Sequence, residues 1–207
     1  MPLTCKQFLE NHPQAWREAT VHPFLEQCRL GTIQQQQFNT WLVQDYLFVV
    51  DFTRMVGRLL HTAPVDHFDV ILGGLSALKD ELSWFKEKAA ERQLDLNSQK
   101  QSTCTEYCDY MYSLAAMPYP VQATALWAIE FAYNQGWQLA GVIPPYTEFA
   151  ERWGNPGFTE YVKLLEQQAD EVLQSSSGNV QQQAEAAFLN IARLEKDFWQ
   201  MAFSAAQ

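Results

Sequence analysis

Apolar residues recur along this chain at the three- and four-residue spacing of helices, without strand-like alternation between hairpin turns. Gly and Pro fall between long segments rather than at short regular intervals. The pattern predicts a first helix from about Thr4 to Thr20, capped by Thr4. The chain restarts at His22-Pro23-Phe24, with Pro23 at a first helical position, and Gly31-Thr32 stops that short helix. Gln34 to Thr62 carries Phe38, Trp41, Leu42, Tyr46, Phe48, Phe52, Met55 and Leu59 on nearly every face. A helix of that kind is central, enclosed by others, and Pro64 ends it. Val65 to Gln93 follows, its Gly73-Gly74 pair expected to allow close approach of a neighbour. After a turn at Asp95 to Ser98, a helix runs to about Ala116 and breaks at Met117-Pro118-Tyr119-Pro120. Val121 to Ala140 is again apolar nearly all round. A short helix then starts at Pro144-Pro145 and runs through Arg152, and Gly154-Asn155-Pro156-Gly157 reads as a tight turn. Phe158 to Gln174 is amphipathic, Ser175 to Asn179 is a polar loop, and Gln181 to Ala205 closes the chain. About eight helices with short loops predict an all-α bundle.

At 207 residues the length suits a single domain. Seven Trp, eight Tyr and thirteen Phe are many, and they fit either a pocket for a flat ligand or ordinary helix seams. A formal net charge of −10 without a basic stripe argues against nucleic acid and anionic membrane as partners. The opening Met1-Pro2-Leu3-Thr4-Cys5-Lys6 lacks the charged-then-apolar pattern of a secretion signal, and no window of the chain reads as a membrane span. Cys5, Cys28, Cys104 and Cys108 are therefore expected to be reduced thiols of a cytoplasmic protein. Cys104 and Cys108 stand one helical turn apart and could lie side by side. With no second pair and no nearby His, they read as helix packing rather than a zinc site.

Three acids lie on apolar helices, where an unpaired charge costs several kcal/mol or shifts its pKa. Asp45 has Phe48 and Phe52 on its face, and Glu130 is the sole charge between Met111 and Glu148, with Tyr133 at i+3. Glu195 precedes Phe198 and Trp199. Each has a structural alternative: Asp45 could pair with Arg17, Arg54 or Arg58, Glu195 with Arg193 or Lys196, and Glu130 with a Tyr hydroxyl of another helix. Together, three carboxylates beside aromatic rings suit a flat heteroaromatic amine, which would stack on the rings and donate to a carboxylate. One acid, its pKa raised by burial, could shuttle protons near neutral pH.

At these residues the sequence resembles the TenA (thiaminase II) family. The matching segments are Val21-His22-Pro23-Phe24, Trp41-Leu42-Val43-Gln44-Asp45-Tyr46-Leu47-Phe48 and Asp80-Glu81-Leu82-Ser83-Trp84-Phe85. Tyr107 with Met111-Tyr112, Trp127-Ala128-Ile129-Glu130 with Tyr133, Arg152-Trp153-Gly154-Asn155-Pro156-Gly157-Phe158 and Leu194-Glu195-Lys196-Asp197-Phe198-Trp199 complete the set. The resemblance implies a haem-oxygenase-like helical bundle that hydrolyses thiamin-derived aminopyrimidines to hydroxymethylpyrimidine, without a cofactor or a metal, and that forms a homo-oligomer. By position, Asp45 resembles the acid that holds the pyrimidine's amino group and ring nitrogen. Tyr107 and Glu195 resemble groups at the opposite edge, while Phe48, Tyr133 and Trp153 resemble residues that line or stack on the ring. Glu81 is placed behind them as a supporting residue. The better-known subclass has a nucleophilic cysteine four positions before the tyrosine matching Tyr133; this chain has Ile129 there, followed by Glu130, as in the subclass without that cysteine. That departure implies hydrolysis of amino- or formylamino-methylpyrimidines, with Glu130 or Glu195 as general base and then general acid.

Other readings of the fold class fare less well. A di-iron site needs Glu-x-x-His pairs, and the chain has none. Haem ligation by His22 is disfavoured by Pro23 and by the lack of a basic patch for propionates; His22 is expected to bond backbone or a neighbouring helix. A protein that binds a pyrimidine without turning it over is the alternative from a different class.

Overall fold

Prolines and capping side chains set most helix ends. The computed structural model describes residues 3–139 and 141–206; the reading of Met1-Pro2 and the predicted end of a helix at Ala140 lie outside them. Among the described residues there are ten α-helices, three 3₁₀ turns and no strand, so the all-α prediction holds. The described residues form two compact units, 3–33 with 118–200, and 34–117 with 201–206.

The first unit begins with α1 (Cys5–Asn11) and α2 (Pro13–Thr20), where one continuous helix was expected. Pro13 has no N–H to donate and disfavours helical backbone at His12, so the helix stops and restarts. Thr4 caps α1 as predicted, in a reciprocal capping box with Gln7. The third helix, α3 (Pro23–Leu30), ends at Gly31, whose φ of 68° favours glycine. The Nδ1 of His22 accepts from the Phe24 N–H at its start, and Nε2 meets Gln200 at 3.3 Å, the predicted structural role.

Next come α7 (Tyr119–Trp137), α8 (Thr147–Trp153), α9 (Pro156–Gln174) and α10 (Gly178–Phe203). The predicted turn at 154–157 is shorter than expected, because Asn155 caps α9 and Pro156 already occupies its first position. Sixteen of the nineteen residues of α7 are buried, so its apolar circumference reflects enclosure on all sides. Trp16, Trp127, Phe131 and Phe188 stack into one aromatic seam joining α2, α7 and α10.

The second unit holds α4 (Gln35–Leu59), α5 (Phe68–Glu91) and α6 (Ser102–Ser113), with a closing 3₁₀ turn at Ser204–Ala206. The predicted enclosure of α4 holds for its middle: no residue from Phe38 to Thr53 is exposed. Of the Gly73-Gly74 pair, Gly74 is buried, while Gly73 departs from the expectation and faces open space. No described helix is long and apolar enough to cross a membrane.

Candidate active site

In the first unit, ring contacts that join α7 and α10 include Trp127 with Phe188 at 5.9 Å, Tyr133 with Trp199 at 5.4 Å and Trp137 with Trp199 at 6.2 Å. Residue numbers rise in the same sense from the Trp127–Phe188 contact to those on Trp199, so the two helices run the same way. Glu130 stands three residues before Tyr133, and Glu195 four before Trp199, each on the flank that carries the ring contact. At a rise of about 1.5 Å per residue, each glutamate stands about one turn before its helix's ring in the Tyr133–Trp199 contact. Both are buried, Glu130 at 7% and Glu195 at 1% exposure, which rules out a solvated face for either.

The Tyr161 hydroxyl on α9 donates to Glu130 Oε1 at 3.4 Å. This is the cross-helix tyrosine partner that the structural alternative for Glu130 anticipated. Of the partners weighed for Glu195, Lys196 pairs with Glu18 at 2.6 Å and Arg193 pairs with Asp197 at 3.0 Å.

Tyr133 is boxed by tryptophans: Trp199 stacks on it at 27°, and Trp153 meets it edge-on at 5.6 Å. Trp199 is itself fixed by Phe24, stacked at 5.5 Å, and by its Nε1–H on the Ala19 carbonyl at 3.0 Å. Trp153 is held through its backbone. Asn134, fully buried beside Tyr133, donates to the Trp153 carbonyl at 2.6 Å and accepts from Gln138 and Thr159. Gly154 then approaches α7 so closely that a Cβ there would stand 2.4 Å from the Trp137 carbonyl oxygen. Ile129, at the place of the subclass cysteine, is buried at 2%.

In the second unit, Asp45 is fully buried on α4, and Phe48 stacks on Phe52 at 5.7 Å and meets Tyr107 of α6 at 4.7 Å. Of the arginines weighed for Asp45, Arg54 pairs with Asp51 at 2.7 Å and Arg58 lies 4.8 Å over the Tyr112 ring. Gln44, next to Asp45, accepts from the Gln101 N–H and donates to the Gln99 carbonyl, which fixes the start of α6 and hence Tyr107. Cys104 and Cys108 lie side by side as expected. Their hydrogen bond, burial and the nearby Asp45 charge all push the Cys104 thiol far up. Glu81 is half-buried on α5.

A second buried acid of α4 escaped the sequence reading. Burial raises the Asp51 carboxyl, but bonds from Lys100, Tyr112 and Arg54 outweigh it and hold the group at about 2. Its neighbours on the chain, Val49, Val50 and Phe52, carried the same signal as those of Asp45, so it was findable. Asn134, polar on an apolar helix, was findable for the same reason. Tyr161 was not, because a tyrosine is ordinary on an amphipathic helix such as α9.

Two open clefts are lined by other residues, Gln35, Asn39, Val43 and Leu94 among them in the second unit and Leu139, Val142, Thr147 and Pro156 in the first. The candidate site rests on its buried carboxylates and not on these grooves. Among the described residues, no group of three or more His, Cys, Asp or Glu is placed to hold a metal ion.

The model of the TENA/THI-4/PQQC family matches residues 9–205. A Glycine max protein described as a probable bifunctional TENA-E protein is 35% identical over 94% of this chain and 90% of its own length. An aminopyrimidine aminohydrolase of Halalkalibacterium halodurans is 24% identical over 91% of this chain and 90% of its own. Among solved structures, a TenA homologue from Pyrococcus furiosus superposes with a TM-score of 0.92 at 28% identity, covering 96% of this chain and 98% of that one.

Proposed function

The chain belongs to the TENA/THI-4/PQQC family and has an all-helical, haem-oxygenase-like fold, and from that premise we propose that it is a C–N hydrolase of thiamin-derived aminopyrimidines. Its substrates are amino- or formylamino-methylpyrimidines, and its product is hydroxymethylpyrimidine. The reaction uses no cysteine, cofactor or metal. The observation that carries this reading is that Glu130 on α7 and Glu195 on α10 are both buried, each about a turn before a ring of the Tyr133–Trp199 stack.

Hydrolysis of such an amine needs one proton moved from water to the leaving nitrogen. Glu130 or Glu195 takes that proton as the water oxygen bonds to the methylene carbon, and gives it to the nitrogen as the C–N bond breaks. Tyr133 and Trp153 line the ring's surroundings. Asp45 accepts from the exocyclic amine, Tyr107 meets the opposite edge of the ring, Phe48 lines it, and Glu81 supports them; these roles rest on their match to the family. The protein acts in the cytoplasm as a homo-oligomer, which light scattering of the purified protein tests.

The deciding experiment incubates the protein with formylaminomethyl-, aminomethyl- and thiamin-type compounds and follows hydroxymethylpyrimidine by chromatography. Turnover of the amino or formylamino compound without turnover of thiamin is the expected result. Tight binding of hydroxymethylpyrimidine with no turnover of any compound identifies a pyrimidine-binding protein instead.

A further inference from the structure

Asn134 joins three helices of the first unit by hydrogen bonds. It lies on α7 directly after Tyr133 and has no solvent exposure. Its amide nitrogen donates to the Trp153 carbonyl at 2.6 Å. Its amide oxygen accepts from Gln138 Nε2 at 2.9 Å, one turn later on α7, and from the Thr159 hydroxyl of α9 at 3.1 Å. Gln138 Nε2 also donates to that hydroxyl at 3.0 Å, so the four residues form one connected network.

The polarity of this network is fixed. Donors face Oδ1 and a carbonyl faces Nδ2, so turning the amide over would set oxygen against oxygen and N–H against N–H. Trp153 closes α8, and its carbonyl is among those that a helix leaves without a donor of its own. Asn134 supplies a donor there. The residue before it meets the indole, since Tyr133 stands edge-on to the Trp153 ring at 5.6 Å. Trp153 is thus attached to consecutive residues of α7, its ring to Tyr133 and its carbonyl to Asn134. One attachment would leave a rotation free; two set the direction of the indole as well as its distance. A buried neutral hydrogen bond adds little net stability over an apolar contact of the same shape, so direction is what this one contributes.

We propose that Asn134 is a positioning residue for pyrimidine binding: through the Trp153 carbonyl it sets the indole wall against which the substrate ring lies. This rests on the hydrolytic reading above, in which Trp153 and Tyr133 line that ring. Asn134 acts on the wall through its backbone and touches no reacting atom. Its loss therefore falls on affinity and not on the proton transfer assigned to Glu130 or Glu195.

The test is Asn134→Asp, which keeps an oxygen for Gln138 and Thr159 and puts an acceptor where Trp153 needs a donor. KM for the aminomethylpyrimidine and Kd for hydroxymethylpyrimidine rise about fivefold to fiftyfold, as when part of a ring-on-aromatic contact is lost, while kcat stays within about threefold. A side chain that only supported the fold would lower the thermal midpoint and the active fraction and leave KM where it was. Fluorine NMR of protein labelled with 5-fluorotryptophan reads the wall without turnover. Of the seven tryptophan signals, the one absent from Trp153→Phe is that of Trp153. In Asn134→Asp it moves or broadens, and the Trp16 signal does not. Gln138→Glu, at an exposed position, is the second variant: its carboxylate turns the Asn134 amide over and breaks the same bond without a charge in the core. Should Asn134→Asp not fold, Gln138→Glu decides alone. A Trp153 signal that stays in place overturns the proposal whether or not the protein is an enzyme. A moved signal with KM and Kd unchanged overturns the binding role. A wild-type protein that neither binds nor turns over any of the compounds retires the hydrolytic reading, and the role of the wall with it.

Discussion

Tyr133 of α7 stacks on Trp199 of α10 with ring centroids 5.4 Å apart and planes 27° from parallel. Each ring is one turn beyond a buried glutamate, Glu130 on α7 and Glu195 on α10. In the proposed mechanism the two acids serve one proton transfer. Glu130→Gln and Glu195→Gln should each cut kcat by a factor on the order of 10²–10⁴ and leave hydroxymethylpyrimidine binding largely intact. The double variant should be little worse than the poorer single one, as expected of groups that serve one proton transfer. Single-turnover kinetics on the four proteins checks this, and multiplicative losses would show two independent roles.

Glycines at two positions should respond in opposite directions. At Gly154 an added methyl group meets the backbone carbonyls of Trp137 at 2.4 Å and Ala150 at 2.7 Å, which cannot swing aside. Gly154→Ala should therefore destabilise the protein by about 1–3 kcal/mol and displace Trp153. Gly73 lies in the body of α5 with nothing within 4 Å of an added Cβ, so Gly73→Ala should stabilise by about 0.5–1 kcal/mol. Urea unfolding of both variants measures the contrast.

Acid should act on the second unit through Asp51. Its carboxyl has an ordinary value of 3.8 and is held at about 2 in the folded chain. A depressed folded pKa contributes stability that is fully present above 3.8 and is lost as pH falls through about 2. Because the Arg54 partner is exposed and screened by solvent, the contribution is about 1–2 kcal/mol. An amide at this position cannot ionise, so the stability gap between wild type and Asp51→Asn should narrow by that amount as pH falls from about 5 to about 2. Denaturation curves across that range would expose an error of sign at once.

All four cysteines are buried, and burial pushes the thiols of Cys5 and Cys28 far up, as Cys108 and burial do that of Cys104. Thiolate is the reactive form, so a water-soluble alkylating reagent should modify the native protein far more slowly than the unfolded one. Activity should survive that treatment. Rapid one-to-one loss of activity would place a thiol in the reaction after all.

Much of this architecture could be read from the chain because it is local. Helix periodicity, the caps at Thr4 and His22, and the acids Asp45 and Glu130 on apolar helices are each written within a few neighbouring residues. Even the break before α2 was legible at Pro13, since a proline's effect on its own helix needs no tertiary contact.

What no local pattern could encode was which residues meet across helices. A helix's sequence specifies an apolar face but not the register in which another helix packs on it, and that register depends on side-chain fit along the whole seam. The sequence by itself determined that Glu130 would be buried and that Trp153 would lie near a turn. Only the tertiary structure decided that Tyr161 would reach Oε1 of Glu130 and that Asn134 would hold Trp153 by its carbonyl. It alone decided that Gly154, and not Gly73, would be the glycine on which close packing depends, because each of these follows from the register of one helix against another.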